Sequence, residues 1–118
     1  YNQCQTSSLQ ELNYQIDTDI LKNPYQVICE KYSQILQKPF SLSSIKQLSD
    51  EILLINCEYS ELFKWLLKEL SVQYTSNEMI QITKELAKYE HLLLNSFRDI
   101  IYLESILISI YKITHGFI

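Results

Sequence analysis

Turn-forming residues are scarce in this chain: one glycine and two prolines among 118 residues. A β-sandwich or barrel needs turn signals at short, regular intervals, so this supply excludes both. It favours long helices joined by few, tight connections. A single glycine also removes the Gly-rich phosphate loop and the strained serine elbow of hydrolases.

Histidine is nearly absent, with only His91 and His115. A carboxylate-bridged di-iron bundle needs Glu-x-x-His pairs on facing helices. Here Lys88 and Lys112 stand three residues before the histidines, so the pattern fails twice. Both histidines are expected on the surface near helix ends. Cys4, Cys29 and Cys57 are far apart, without the close pairs of a structural zinc site. Their odd number favours reduced thiols in the cytoplasm or nucleus over a disulfide framework. There is one arginine, the lysines are spread singly, and the net charge is −4. No basic stripe exists to neutralise phosphates, so neither nucleic acid nor an anionic membrane surface is an expected partner. No apolar run suits a membrane span. In the most apolar stretch, Glu104 and Lys112 leave seven uncharged residues between them, where a span needs about 20. No catalytic residue, cofactor site or metal site is expected.

What is present is apolar periodicity. Hydrophobic residues make up 47% and charged residues 20%, a balance that argues against disorder. The length fits a single domain over residues 1–118, with 1–6 as a lead-in. The stretch 96–114 is apolar on nearly every side when wound as a helix. Leu103, Ile106, Leu107, Ile110 and Ile113 form its widest arc, and Ile101 and Ile108 point the opposite way. Ser96 is its expected cap, with Asp99 in the capping-box position. Gly116 is its expected stop.

Four further helical segments precede it. Ser7 or Ser8 caps a first helix whose face is Leu9, Leu12, Ile16 and Ile20. Asn23-Pro24 ends it, and Pro24 opens a second helix over residues 24–37. Phe40 pins the loop after Pro39 onto the core. Residues 41–73 contain neither glycine nor proline. Ile45, Leu48, Ile52, Ile55, Tyr59, Leu62 and Leu66 recur there every three or four residues, and predict one continuous helix of about 30 residues. The alternative is a break near Asn56, with Asn56 or Ser60 capping the restart. Thr75 and Glu78 form a capping box for the next helix, which runs to about Leu94. Its apolar arc and that of the last helix differ by about 100°, so a break or kink is expected at Asn95-Ser96. The fold class that follows is all-α: a bundle of four to five helices, mostly antiparallel neighbours with short loops, and the C-terminal helix central.

Trp65 is the candidate functional residue. It lies about 120° off the apolar stripe of its helix, and on a continuous wheel Leu54 falls within about 20° of it. Glu58 and Glu61 flank this side. A Trp and a Leu edged by acids fit a binding patch. Glu104, in contrast, reads as a solvated acid provided the chain bends before it. The expected function is a non-enzymatic helical protein–protein interaction domain, intracellular and part of a larger protein or assembly. Its partner is another protein or a second copy of itself. The alternative is a secreted four-helix-bundle ligand of cytokine type, suggested by length, bundle spacing, a chain starting at Tyr1, and widely spaced cysteines. A thiol count separates the two readings: three free thiols for the first, one for the second.

Overall fold

Asn23 and Pro24 set the start of the first described helix. The Asn23 Oδ1 accepts from the Tyr25 N–H at 2.9 Å. Pro24 takes the first helical position, where its missing N–H is no loss. The computed structural model describes residues 23–116. It contains α1 (Pro24–Leu36), α2 (Leu42–Leu54), α3 (Tyr59–Ser71), α4 (Ser76–Leu94) and α5 (Asp99–Thr114), and no strand among those residues. The helix expected from Leu9, Leu12, Ile16 and Ile20 lies outside the described residues, as do the lead-in 1–6 and Cys4.

The single long helix over 41–73 is not found. Asn56 adopts a left-handed backbone, φ +48°, and divides the segment into α2 and α3. Asparagine is one of the few residues that tolerates this region. Following the C-cap Ile55, it stops α2. It therefore ends a helix instead of capping the next one. The N-cap of α3 is Glu58, which makes no side-chain cap bond. Periodicity ran on through the break because α2 and α3 both bury the same spacing of apolar residues.

Thr75 caps α4 with both halves of the expected box: Thr75 Oγ1 accepts from the Glu78 N–H, and the Thr75 N–H donates to Glu78 Oε1. The chain does break between α4 and α5, but Ser96 is not the cap. Helix α5 starts at Asp99 with Arg98 as N-cap. Ser96 Oγ instead accepts from the Arg98 N–H at 2.9 Å, a local turn ahead of the helix. Gly116, at φ +73°, supplies the expected left-handed stop.

The helices alternate in direction along the chain, and they close a ring in the order α1–α2–α5–α4–α3. Alternation cannot close around an odd ring, so one neighbouring pair must be parallel. That pair is α1 and α3. Ser33 meets Gln73 at one end of it, and Tyr25 meets Glu58 at the other. The remaining neighbours are antiparallel. Helix α5 supplies the largest share of the core, with Leu103, Ile106, Leu107, Ile110, Tyr111 and Ile113 buried. Across the interior, the wholly buried Tyr32 donates from Oη to the Leu107 carbonyl at 2.6 Å. This ties α1 to α5, which do not neighbour each other in the ring.

Two ends result. The distal end holds the α1–α2 and α3–α4 turns and the end of α5. There Tyr111 Oη donates to the Lys38 carbonyl, and the Phe40 ring meets Tyr111 edge-on with centroids 5.2 Å apart. The proximal end holds the start of α1, the α2–α3 turn and the α4–α5 turn.

Candidate interaction surface

Two tyrosines build the proximal end. Tyr25, in the first turn of α1, accepts at its Oη from the Glu58 N–H at 3.2 Å. This bond takes up the backbone donor at the start of α3. Tyr59, the first residue of α3, donates from Oη to Asp99 Oδ2 at 2.7 Å. Burial raises the Tyr59 pKa, and the Asp99 carboxylate raises it further. The phenol therefore stays protonated and keeps donating at physiological pH. Together these bonds lock the α2–α3 turn between the starts of α1 and α5.

Large apolar side chains are left in water around this locked frame. Leu54, the last residue of α2, is 84% exposed. Leu94, the last residue of α4, is 75% exposed, and Phe97 in the α4–α5 turn is fully exposed. Leu53 and Ile55 are also exposed, as is Ile101 on the outer side of α5. Scattered exposed apolar residues are normal; several sharing one end of a small domain are the informative case.

The four residues singled out from the sequence are not on one helix face. Leu54 belongs to α2 and Trp65 to α3, with the break at Asn56 between them. The wheel relation drawn between them assumed an unbroken helix. Trp65 is half-buried and packs against the core, with Lys68 Nζ 5.5 Å from the ring centroid. Glu58 is exposed at the start of α3. Glu61, in its first turn, reaches Lys64 at 3.5 Å. Such an exposed pair contributes little to stability. Leu94 and Phe97 were missed because they sit at a helix end and in a turn, where periodicity carries no information. The signal available was their adjacency to Asn95-Ser96, where the apolar arc rotates.

Burial pushes the Cys29 thiol up to about 12, helped by Glu69 and Glu30, and the side chain is 1% exposed. A thiol so protonated is a poor nucleophile. Cys57 in the α2–α3 turn is half-buried and also raised by burial. Both are free thiols. His91 is exposed, and His115 stacks on Tyr111 with centroids 3.9 Å apart. Among the described residues no three His, Cys, Asp or Glu side chains group so as to hold a metal ion. Nor, among them, is any helix long and apolar enough to cross a membrane. A groove of about 480 Å³ runs between α1 and α2, lined by Lys31, Lys38, Ser41, Gln47 and Glu51 among others. Its lining mixes these polar side chains with Ile35, Pro39 and Leu48, and Lys31 reaches Glu51 at 3.0 Å. Glu104 is half-exposed on α5.

No protein-family model, curated protein or solved structure matches this chain.

Proposed function

We propose that this chain is a non-enzymatic helical protein–protein interaction domain that works within a larger protein or assembly, inside the cell, and that its proximal end is the docking surface. The carrying observation is that three of the four most exposed large apolar side chains among the described residues, Leu54, Leu94 and Phe97, share one end of the bundle, whereas the distal end has Val72 and the half-exposed Phe40 and Leu42. Glu58 and Glu61 form an acidic edge to this end, and Trp65 lies one turn beyond Glu61 on the same helix. Aromatic and aliphatic side chains ringed by charge anchor interfaces, and the acids speed the approach of a basic partner. A second copy of the chain is the other occupant that such a surface would take.

Connections of 4 or 5 residues between the described helices favour this reading over a cytokine-type ligand. Cytokine bundles run up-up-down-down and need two long crossovers. The test is a Leu54→Ser/Phe97→Ser double variant. It should keep the wild-type circular dichroism and melting temperature, because both side chains already face water. It should lose self-association, or the proteins that cross-link to the wild type in cells. Identical mass and identical cross-linked proteins would place the docking surface elsewhere.

A further inference from the structure

The groove between α1 and α2 has a volume of about 480 Å³, within the roughly 300–1,000 Å³ of ligand-sized clefts. Its two walls are antiparallel, and the Lys31–Glu51 pair sets their register. Gln34 then stands level with Leu48, Ile35 with Gln47, and Lys38 with Ser44. The middle levels each set one apolar side chain against one amide. From residue 31 to residue 38 the groove runs about 10 Å, at 1.5 Å per residue.

The two ends of this groove differ. At one end Lys31 and Glu51 neutralise each other. At the other, Lys38 pairs with no carboxylate among the described residues. Its side chain is exposed, but its backbone is fixed, because Tyr111 Oη donates to its carbonyl at 2.8 Å. Ser41 closes the same end. Its Oγ accepts from the Ser44 N–H at 3.3 Å and from the Ser44 hydroxyl at 3.2 Å. Both bonds use acceptor positions, so the Ser41 proton is left to donate. Between the ends, the half-buried Ile35, the exposed Pro39 and the buried Leu48 form an apolar strip. Two lysines against one glutamate give the groove one surplus positive charge, on a chain whose net charge is −4.

We infer that the α1–α2 groove binds a small amphiphilic carboxylate, with its head on the Lys38 ammonium and the Ser41 hydroxyl and its apolar chain along Ile35, Pro39 and Leu48. One free ammonium beside one free hydroxyl matches a singly charged head. A phosphate dianion calls for a second cation, and the other lysine of the groove is held by Glu51. An amine head would meet Lys38 as a like charge. The apolar strip selects for the chain, whose length is limited to about 10 Å by the Lys31–Glu51 pair. Lys38 and Ser41 lie in the α1–α2 turn at the distal end, so this site stands or falls independently of the proximal docking surface.

The test is an NMR titration of the full chain with octanoate, octylamine and inorganic phosphate at matched ionic strength. Octanoate should shift the Ile35 and Leu48 methyls and the Ser44 amide to saturation. Octylamine offers the same chain with the opposite charge, and phosphate offers an anion without the chain. Each should bind about tenfold or more weakly than octanoate, the order of one charge-assisted hydrogen bond. Lys38→Gln replaces an exposed side chain, so it should keep the wild-type melting temperature and weaken octanoate about tenfold. Lys38→Arg should restore most of that loss. The Leu54→Ser/Phe97→Ser variant should bind octanoate as the wild type does. Octylamine binding as tightly as octanoate would overturn the inference and leave only an apolar surface. Phosphate binding as tightly, an unchanged affinity in Lys38→Gln, or octanoate shifts centred on Leu94 and Phe97 would overturn it too.

Discussion

Tyr32 is wholly buried, yet its hydroxyl is not a burden, because it meets the Leu107 carbonyl at 2.6 Å. A buried donor without a partner costs more than a made bond contributes. Tyr32→Phe removes the donor and keeps the ring, so it should destabilise by about 1–2 kcal/mol in urea denaturation, with an unchanged slope. Burial also raises the Tyr32 pKa well above the ordinary value. Cys29 behaves alike, raised to about 12 from 9.0. A raised folded pKa gives stability that is present below the unfolded pKa and lost as pH climbs towards the folded one. Unfolded thiols ionise first, so stability should begin to fall near pH 9, ahead of the tyrosines at about 10. Denaturation midpoints at pH 8, 9 and 10 should show Cys29 contributing a loss of about 1 kcal/mol by pH 10. Cys29→Ala should flatten that part of the curve. An equally steep decline in the variant would mean that the thiol does not drive it.

At the scale of the element, the breaks decide the fold. Asn56 holds φ +48° within a stretch that contains no glycine. Asn56→Gly should be nearly neutral, whereas Asn56→Val should cost about 1–2 kcal/mol, because a β-branched side chain is strained there. Thermal melts of the two variants check this. The same position shows what the sequence could and could not disclose. Residues 24–36, the Thr75–Glu78 box, the arc of α5 and the Gly116 stop were all legible, because each rests on local chemistry or on one uninterrupted period. The Asn56 stop was only an alternative. On either side of this left-handed residue Ile45, Leu48, Ile52, Leu62 and Leu66 are buried as the spacing implies, but Ile55 is 36% exposed and Tyr59 is half-buried, so the stripe fails where the chain turns. Ser96 shows the opposite failure. Its cap chemistry was right, but the hydroxyl was taken by the nearer Arg98 N–H, and Asp99 by Tyr59. The candidate site was less legible still. Leu54 was singled out for a geometric reason that the break removes, and the exposure of Phe97 could be seen only once the turns were placed in space.

For the whole molecule, the core is one continuous body to which all five helices contribute. Leu107 is 1% exposed beside the carbonyl that receives Tyr32. Leu107→Asp would bury an unpaired charge there and should cost several kcal/mol, enough to unfold a domain of this size at room temperature. A melting curve matching the wild type would mean that the α5 arc is not core.

An odd number of alternating helices has a mechanical side. Residue 23 lies at one end of the bundle and residue 116 at the other, and α1 and α5 run in the same direction. Tension applied at those two residues pulls α1 and α5 in opposite senses along their lengths. Sliding α1 past α5 then needs slip on both paths round the ring, at α1–α2 or α2–α5 on one side and at α1–α3, α3–α4 or α4–α5 on the other, where an even-numbered bundle with adjacent ends would peel open contact by contact. Held between two anchors at residues 23 and 116, the bundle would resist as a sheared joint.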